Sequence, residues 1–411
     1  MPRAAAESLD RGDPLAAARE LFAIPDSGPV YLDGNSLGRP PGPVLAAIEE
    51  GVRQWRHELV GGWQHWIDLP LAVGDRLGRL VGAAPGQVAV CDSTTVNLYK
   101  LAWAAVQSRP GRSSIVASAS DFPTDRYVLE GIAAALGKSL VLLDASEPEE
   151  LEAEVARSLD STTALVCLSH VNYRSGGRLD MASVTALAHQ AGALVLCDLS
   201  HSAGAVPVDL DGWDVDLAAG CTYKYLNSGP GAPGYLYVNR RLQDDLHQPI
   251  WGWFGQADQF EMGPSYRPAP GIGSALTGTP PVIGLMAVDA SLGVIERFGI
   301  SAMWKKSQRL TDLLIELVDG RLAPLGAGLA TPRAPGRRGA HVSVSHPLAW
   351  PWCRTLIDRG LVVGDFRQPD VIRLGPAPLY TRFVDCYDAV EAMAGVLADG
   401  LDESPRRPRV T

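Results

Sequence analysis

Lys224 stands out because lysine is scarce in this chain. The 411 residues hold five lysines, at positions 100, 138, 224, 305 and 306, and arginine is otherwise the cation of choice. An amine that must lose its proton and condense with a carbonyl has to come from lysine, since the arginine guanidinium stays charged. Lys224 lies in Gly220-Cys221-Thr222-Tyr223-Lys224-Tyr225, which opens into Asn227-Ser228-Gly229-Pro230-Gly231. Upstream, Asp198 closes the apolar run Ala193-Leu194-Val195-Leu196-Cys197. An aspartate ending a buried strand, followed by a lysine after a later strand, fits a pyridoxal phosphate site. The aspartate pairs the pyridinium nitrogen and keeps the ring an electron sink; the lysine holds the aldehyde as an imine.

Other polar clusters follow apolar runs in the same way. Ser93-Thr94-Thr95-Val96-Asn97 opens a helix, and its hydroxyls and free amides suit either a phosphate dianion or a plain N-cap. In Phe122-Pro123-Thr124-Asp125 the aromatic can stack on a planar ring or enter the core, and Asp125 can cap the next helix. Ser169-His170-Val171-Asn172-Tyr173 and Asp198-Leu199-Ser200-His201 end neighbouring strands, which raises His201 from a surface histidine to a candidate beside Asp198 and Lys224. The loop Trp251-Gly252-Trp253-Phe254-Gly255 fits a subunit interface or an aromatic pocket. Arg373, ending Asp370-Val371-Ile372-Arg373, can hold a carboxylate bidentately or form a surface ion pair. The histidines show no metal-ligand spacing, and no metal is expected.

Placing these residues together requires a sheet. Strand-like runs at 88–90, 114–117, 140–143, 164–168, 193–197, 217–219 and 235–238 alternate with helical stretches at 96–107, 125–136, 149–159 and 181–190. This alternation predicts an α/β architecture with a mostly parallel sheet flanked by helices. The near-continuous apolar strands predict burial on both faces, and ligands of such sheets collect beyond the strands' carboxyl ends. Helical spacing at 43–60 sets Val44, Leu45, Ile48, Val52, Trp55 and Leu59 on one face, and residues 14–24 read as a short helix. Long helices are expected at 282–298 and 303–319. The organisation expected is an N-terminal arm with helices (1–60), a large cofactor-binding domain (61–285), and a long helix with a smaller C-terminal α/β domain (286–411).

A net charge of −10 with no basic stripe argues against nucleic-acid binding. The cluster Arg406-Arg407-Pro408-Arg409 reads as a frayed tail. No apolar run is long enough to span a membrane, the first residues lack a signal core, and the six cysteines form no CxxC pair. A cytoplasmic protein with reduced core cysteines is expected.

The motifs Tyr31-Leu32-Asp33-Gly34-Asn35-Ser36-Leu37-Gly38, Thr95-Val96-Asn97-Leu98, Phe122-Pro123-Thr124-Asp125 and His170-Val171-Asn172-Tyr173-Arg174-Ser175-Gly176 occur in the order found in one family. So do Asp198-Leu199-Ser200-His201-Ser202-Ala203-Gly204, Tyr223-Lys224-Tyr225-Leu226-Asn227, Gly252-Trp253-Phe254-Gly255 and Pro378-Leu379-Tyr380. From about residue 20 to 400 the chain resembles kynureninase. The resemblance implies a fold type I pyridoxal phosphate enzyme, a homodimer with shared active sites, that hydrolyses kynurenine to anthranilate and alanine. It implies Lys224 as the Schiff-base lysine, Asp198 on the pyridine nitrogen, His201 beside the ring, Phe122 stacked on it with Asp125 in the same motif, and Thr94, Thr95 and Tyr223 at the phosphate. Trp253 and Thr279 are implied to reach the phosphate of the second subunit, and Ser169 to lie near the cofactor. Ser36, Trp63 and Arg373 are implied to face the substrate, Arg373 at its α-carboxylate. Tyr223 is the candidate for proton delivery. Thr94, Trp251 and Gln256 depart from the family's usual leucine, small residue and histidine, which leaves open a ring-substituted kynurenine such as 3-hydroxykynurenine. The rivals are a cysteine desulfurase or aminotransferase-like enzyme, with Cys353 or Cys386 as nucleophile, and a non-catalytic cofactor-binding protein.

Overall fold

A computed structural model describes residues 1–401; the Arg406–Arg409 tail lies outside the described residues. The central sheet has seven strands in the order Val88–Val90, Tyr235–Val238, Leu217–Gly220, Leu194–Asp198, Thr163–Ser169, Ser114–Ser118, Ser139–Leu143. The last five pair in parallel, while Tyr235–Val238 runs antiparallel to both neighbours. All seven expected strands are present, within a residue or two.

The two-residue period of a strand explains why the strands are apolar throughout. Val116, Val166, Leu168, Val195 and Cys197 feed the core on one face. Ile115, Ala117, Leu165, Cys167, Leu194 and Leu196 feed the core on the other. Only the edge strand Ser139–Leu143 leaves apolar side chains, Val141 and Leu142, in solvent. Helices Thr94–Gln107, Pro123–Leu136, Pro148–Ser158 and Met181–Ala191 fill the crossovers. Gly137 (φ 63°) and Gly192 (φ 77°) end two of them in left-handed caps, where a Cβ is disfavoured.

A separate core lies around the four-stranded antiparallel sheet built from 328–329, 342–345, 365–367 and 371–374. Helix Phe383–Asp399 packs into it, together with Ala6 and Leu32 from the N-terminal region. The patterns above predict no element within residues 1–13. A helix forms there, Arg3–Arg11, because Asp10 accepts the backbone amides of Phe383 and Val384 and Arg3 pairs with Asp388. Residues 16–21 form a 3-10 turn where a short helix was expected.

The helix expected at 43–60 spans Gly42–Glu58, but its apolar face is not buried as the spacing implied. Val44 is buried, and Gly51 lets the helix approach Met286 and Ile283 on helix Val282–Phe298. Leu45, Val52, Trp55 and Leu59 remain exposed, Trp55 and Leu59 by more than 60%.

Candidate active site

The carboxyl ends of Thr163–Ser169, Leu194–Asp198 and Leu217–Gly220 meet the N-terminus of helix Thr94–Gln107 around a cavity of about 210 Å³. Of the expected site residues, Ser36, Thr94, Thr95, Phe122, Asp125, Asp198, His201, Tyr223, Lys224 and Arg373 line it.

Lys224 follows the strand Leu217–Gly220, and the adjoining turn is pinned from outside. The amide of Gly38 donates to the carbonyl of Tyr223 (2.9 Å), and that of Asn227 to the carbonyl of Lys224 (2.9 Å). A Cβ at Gly38 would stand 2.4 Å from the Lys224 carbonyl oxygen, so only glycine admits this approach. The amine Nζ lies 2.9 Å from His201 Nε2. Burial, and then the Lys224 charge, push the His201 imidazole well below its ordinary range, so it is neutral and accepts from Nζ.

Asp198 ends its strand opposite Ser169. Its Oδ1 accepts both the amide (2.8 Å) and the hydroxyl (2.6 Å) of Ser200, which fixes the plane of the carboxyl. Of the two readings open for Asp125, the helix cap is not the one it adopts, since Phe122 holds the N-cap position. It sits in the first turn of Pro123–Leu136, buried against Asp198, and burial with that neighbouring carboxyl pushes its pKa well up. Asp121, behind it, accepts the amide of Ser169 (3.1 Å) and is raised to about 7 by burial. Three carboxyls so close together cannot all be ionised cheaply.

At the other end, Ser93 caps the helix by accepting the amide of Val96 at 3.4 Å, and Thr94 and Thr95 open onto the cavity. A Cβ at Gly234 would stand 2.9 Å from the Thr94 nitrogen, so the absence of a side chain there keeps the first turn clear. Phe122 is no core residue: it is 42% exposed at the lip, edge-on to Tyr173 at 5.2 Å. A carboxylate, an amine, an aromatic lip and a clear helix N-terminus are what a pyridine aldehyde phosphate needs, and the residues fit that group.

Arg373 is buried, which removes the surface ion pair as an explanation. Its Nε donates to Asp365 Oδ1 (2.7 Å), Nη1 to the Tyr173 carbonyl (2.7 Å), and Nη2 to Ser36 Oγ (3.0 Å) and Asp365 Oδ2. Arg367 Nη2 shares the same carboxylate at 2.5 Å. Asp33 lies beside this group, raised to about 7 by burial and by Asp365.

Four expected residues are not in the cavity wall. Ser169 is buried behind it. Trp63 packs on Trp66 and Phe254. Trp253 and Thr279 are at the surface, Trp253 39% exposed. Trp251 stacks on Tyr266 (5.0 Å), and Gln256 bonds within the loop to the Arg267 amide (2.6 Å), so neither narrows this cavity. Asn35, Thr124, Ser200 and Arg367, which are not among the expected site residues, also line it. Asn35, Thr124 and Ser200 lie inside the motifs quoted above, whereas Arg367 lies in none of them. Cys353 and Cys386 are buried, and burial raises both thiols, Cys353 to about 12, so neither offers a thiolate to the cavity.

Residues 30–328 match the aminotransferase class-V family model and residues 303–393 the kynureninase C-terminal domain. The chain is 44% identical over 402 residues to a kynureninase of Burkholderia pseudomallei (strain 1106a), covering 96% of this chain and 95% of the relative. It is 44% identical over 397 residues to a kynureninase of Pseudomonas fluorescens, covering 95% and 94%. Among solved structures, a C-DES mutant with glycine covalently linked to its PLP cofactor superposes with a TM-score of 0.81 at 19% identity, covering 92% of this chain and 98% of that one. A cysteine desulfurase from Thermococcus onnurineus NA1 gives 0.80 at 18% identity, covering 93% and 98%.

Proposed function

The chain belongs to the kynureninase family, and from that premise we propose how its own residues divide the work. The fold is that of fold type I pyridoxal phosphate enzymes, and the reaction is hydrolysis of L-kynurenine to anthranilate and L-alanine. The observation that carries the assignment of roles is the 2.9 Å pairing of Lys224 Nζ with a neutral His201 in the same cavity as Asp198, Thr94 and Thr95.

When bound, pyridoxal phosphate supplies a ring that absorbs the electron pair released at the substrate α-carbon. Lys224 Nζ would hold the cofactor aldehyde, and it is the amine placed to move a proton at the substrate α-carbon. His201 Nε2 accepts from that amine and keeps it aimed. Asp198 has Oδ1 tied to Ser200 and would pair with the pyridine nitrogen. Thr94 and Thr95 would hold the phosphate, and Phe122 would cover the ring. Burial pushes the Tyr223 phenol up, so it stays protonated and can donate as water adds to the side-chain ketone and the carbon–carbon bond breaks.

Ser36 and Arg373 hold the α-carboxylate. Arg373→Lys replaces a planar fork with a point charge, and kcat/KM for kynurenine is expected to fall by about 2 kcal/mol or more with cofactor binding unchanged. Unchanged kcat/KM in both Arg373→Lys and Arg373→Ala would move the anchor to Arg367.

A homodimer with shared sites accounts for the exposed apolar residues Leu45, Val52, Trp55, Leu59 and Val60, and for Trp253 and Thr279 lying outside their own cavity. Trp253→Ala is expected to weaken both the dimer and cofactor binding, read by sedimentation of the apo and holo forms. A stable monomer with parental cofactor affinity would refute the sharing. No helix among the described residues is long and apolar enough to cross a membrane, and we place the enzyme in the cytoplasm.

The test of the whole reading is the purified protein with added pyridoxal phosphate, assayed on kynurenine and 3-hydroxykynurenine with products identified. Anthranilate and alanine are expected from kynurenine. A preference for 3-hydroxykynurenine would narrow the substrate, and no cleavage of either would overturn the reading.

A further inference from the structure

Lys100 belongs to no part of the chemistry above, yet it is fully buried in helix Thr94–Gln107. Its Nζ lies 2.6 Å from Asp92 Oδ2 and donates to the carbonyl of Ala275 at 2.8 Å. Asp92 sits between the strand Val88–Val90 and the capping Ser93, in the left-handed region (φ 48°), which aspartate enters more readily than most side chains. Its carbonyl accepts the amide of Gly234 at 2.7 Å. Its Oδ1 accepts the hydroxyl of Thr277 at 3.1 Å. The Thr277 carbonyl takes the amide of Phe254 at 3.1 Å and stands 2.2 Å from where a Cβ at Gly252 would be.

One amine and one carboxylate therefore tie together the start of the phosphate-facing turn, the Gly234 backbone that keeps it clear, and the 275–277 segment that braces the Gly252-Trp253-Phe254 loop. A buried ion pair is weak evidence for stability, since an apolar residue of similar volume often serves as well; its better-attested use is to fix one geometry. Resting on the pyridoxal phosphate reading, we propose that Lys100 is a positioning residue for the phosphate end of the cavity. It holds Asp92 in its turn so that Thr94 and Thr95 present their amides and hydroxyls to a phosphate group, without itself touching the cofactor.

The test compares the apo enzyme's affinity for pyridoxal phosphate with that for pyridoxal, which lacks the phosphate, in the parent, Lys100→Met and Thr277→Val. Both variants are expected to bind pyridoxal phosphate roughly tenfold more weakly, the scale on which outer partners of a ligand-holding group act. Pyridoxal affinity, and kcat at saturating cofactor, should stay at the parental level. Thr277→Val keeps both charges and removes only the hydroxyl strap, so it carries the test if Lys100→Met fails to fold. Equal losses for the two ligands, or unchanged pyridoxal phosphate affinity with a lowered apo Tm, would overturn the proposal in favour of a purely structural pair. A parent that binds neither ligand would instead overturn the cofactor reading beneath it.

Discussion

Lys224→Ala yields a folded protein without yellow colour and without turnover. The loss expected in kcat is on the order of 10⁶-fold, as when the covalent partner of a reaction is deleted. The fold should persist, because the Lys224 backbone, not its side chain, makes the bonds that hold the turn: Gly38 and Asn227 donate to carbonyls at 223 and 224. No other lysine can substitute. Lys100 and Lys306 are committed to buried pairs with Asp92 and Asp13, and neither Lys138 nor Lys305 lines the cavity. Loss of colour is read from the visible spectrum after cofactor addition, and turnover from anthranilate release. Parental activity in this variant would end the assignment.

Asp198→Asn should retain the fold and bind cofactor, yet lose roughly 10²–10³-fold in kcat, the range seen when one preorganised electrostatic partner is removed. An asparagine oxygen still accepts the Ser200 amide and hydroxyl now held by Oδ1, so local geometry survives. What disappears is the charge that keeps a proton on the pyridine nitrogen. With Asp125 raised by the same neighbourhood, removing the Asp198 charge also relieves Asp125, which can then ionise more readily. Asp198→Asn combined with Asp125→Asn is therefore expected to be slower than either single variant. Single-turnover rates near the parental value in Asp198→Asn would rule the role out.

The sheet was legible because burial on both faces leaves an unbroken apolar run, and the runs that pair in parallel end in polar residues that the sheet brings to one edge. Asp198, His201 and Lys224 could be read that way, since each lies just beyond a strand. The helix face at 43–60 misled because periodicity reports an apolar stripe without saying what covers it, and Leu45, Val52, Trp55 and Leu59 are not covered by this chain. The group of Asp33, Asp365, Arg367 and Arg373 was not legible as a unit. Its members come from the N-terminal region and two small-domain strands, and the antiparallel pairing of Asp365 with Arg373 and the bridge of Asp33 to Gly375 bring them together. The helix Arg3–Arg11 was missed for the same reason: the partners that stabilise it, at 383, 384 and 388, are at the far end of the sequence.

The scarcity of lysine has a consequence for how the protein meets a free aldehyde. Every accessible amine is a decoy for such a reagent. Here Lys100 and Lys306 are buried in ion pairs, Lys138 Nζ donates to the carbonyls of Pro110 and Arg112, and the N-terminal amine faces Glu316. Lys305 is the one lysine with an exposed side chain. Borohydride trapping of an added aldehyde should therefore mark Lys224 with Lys305 as the main competing lysine.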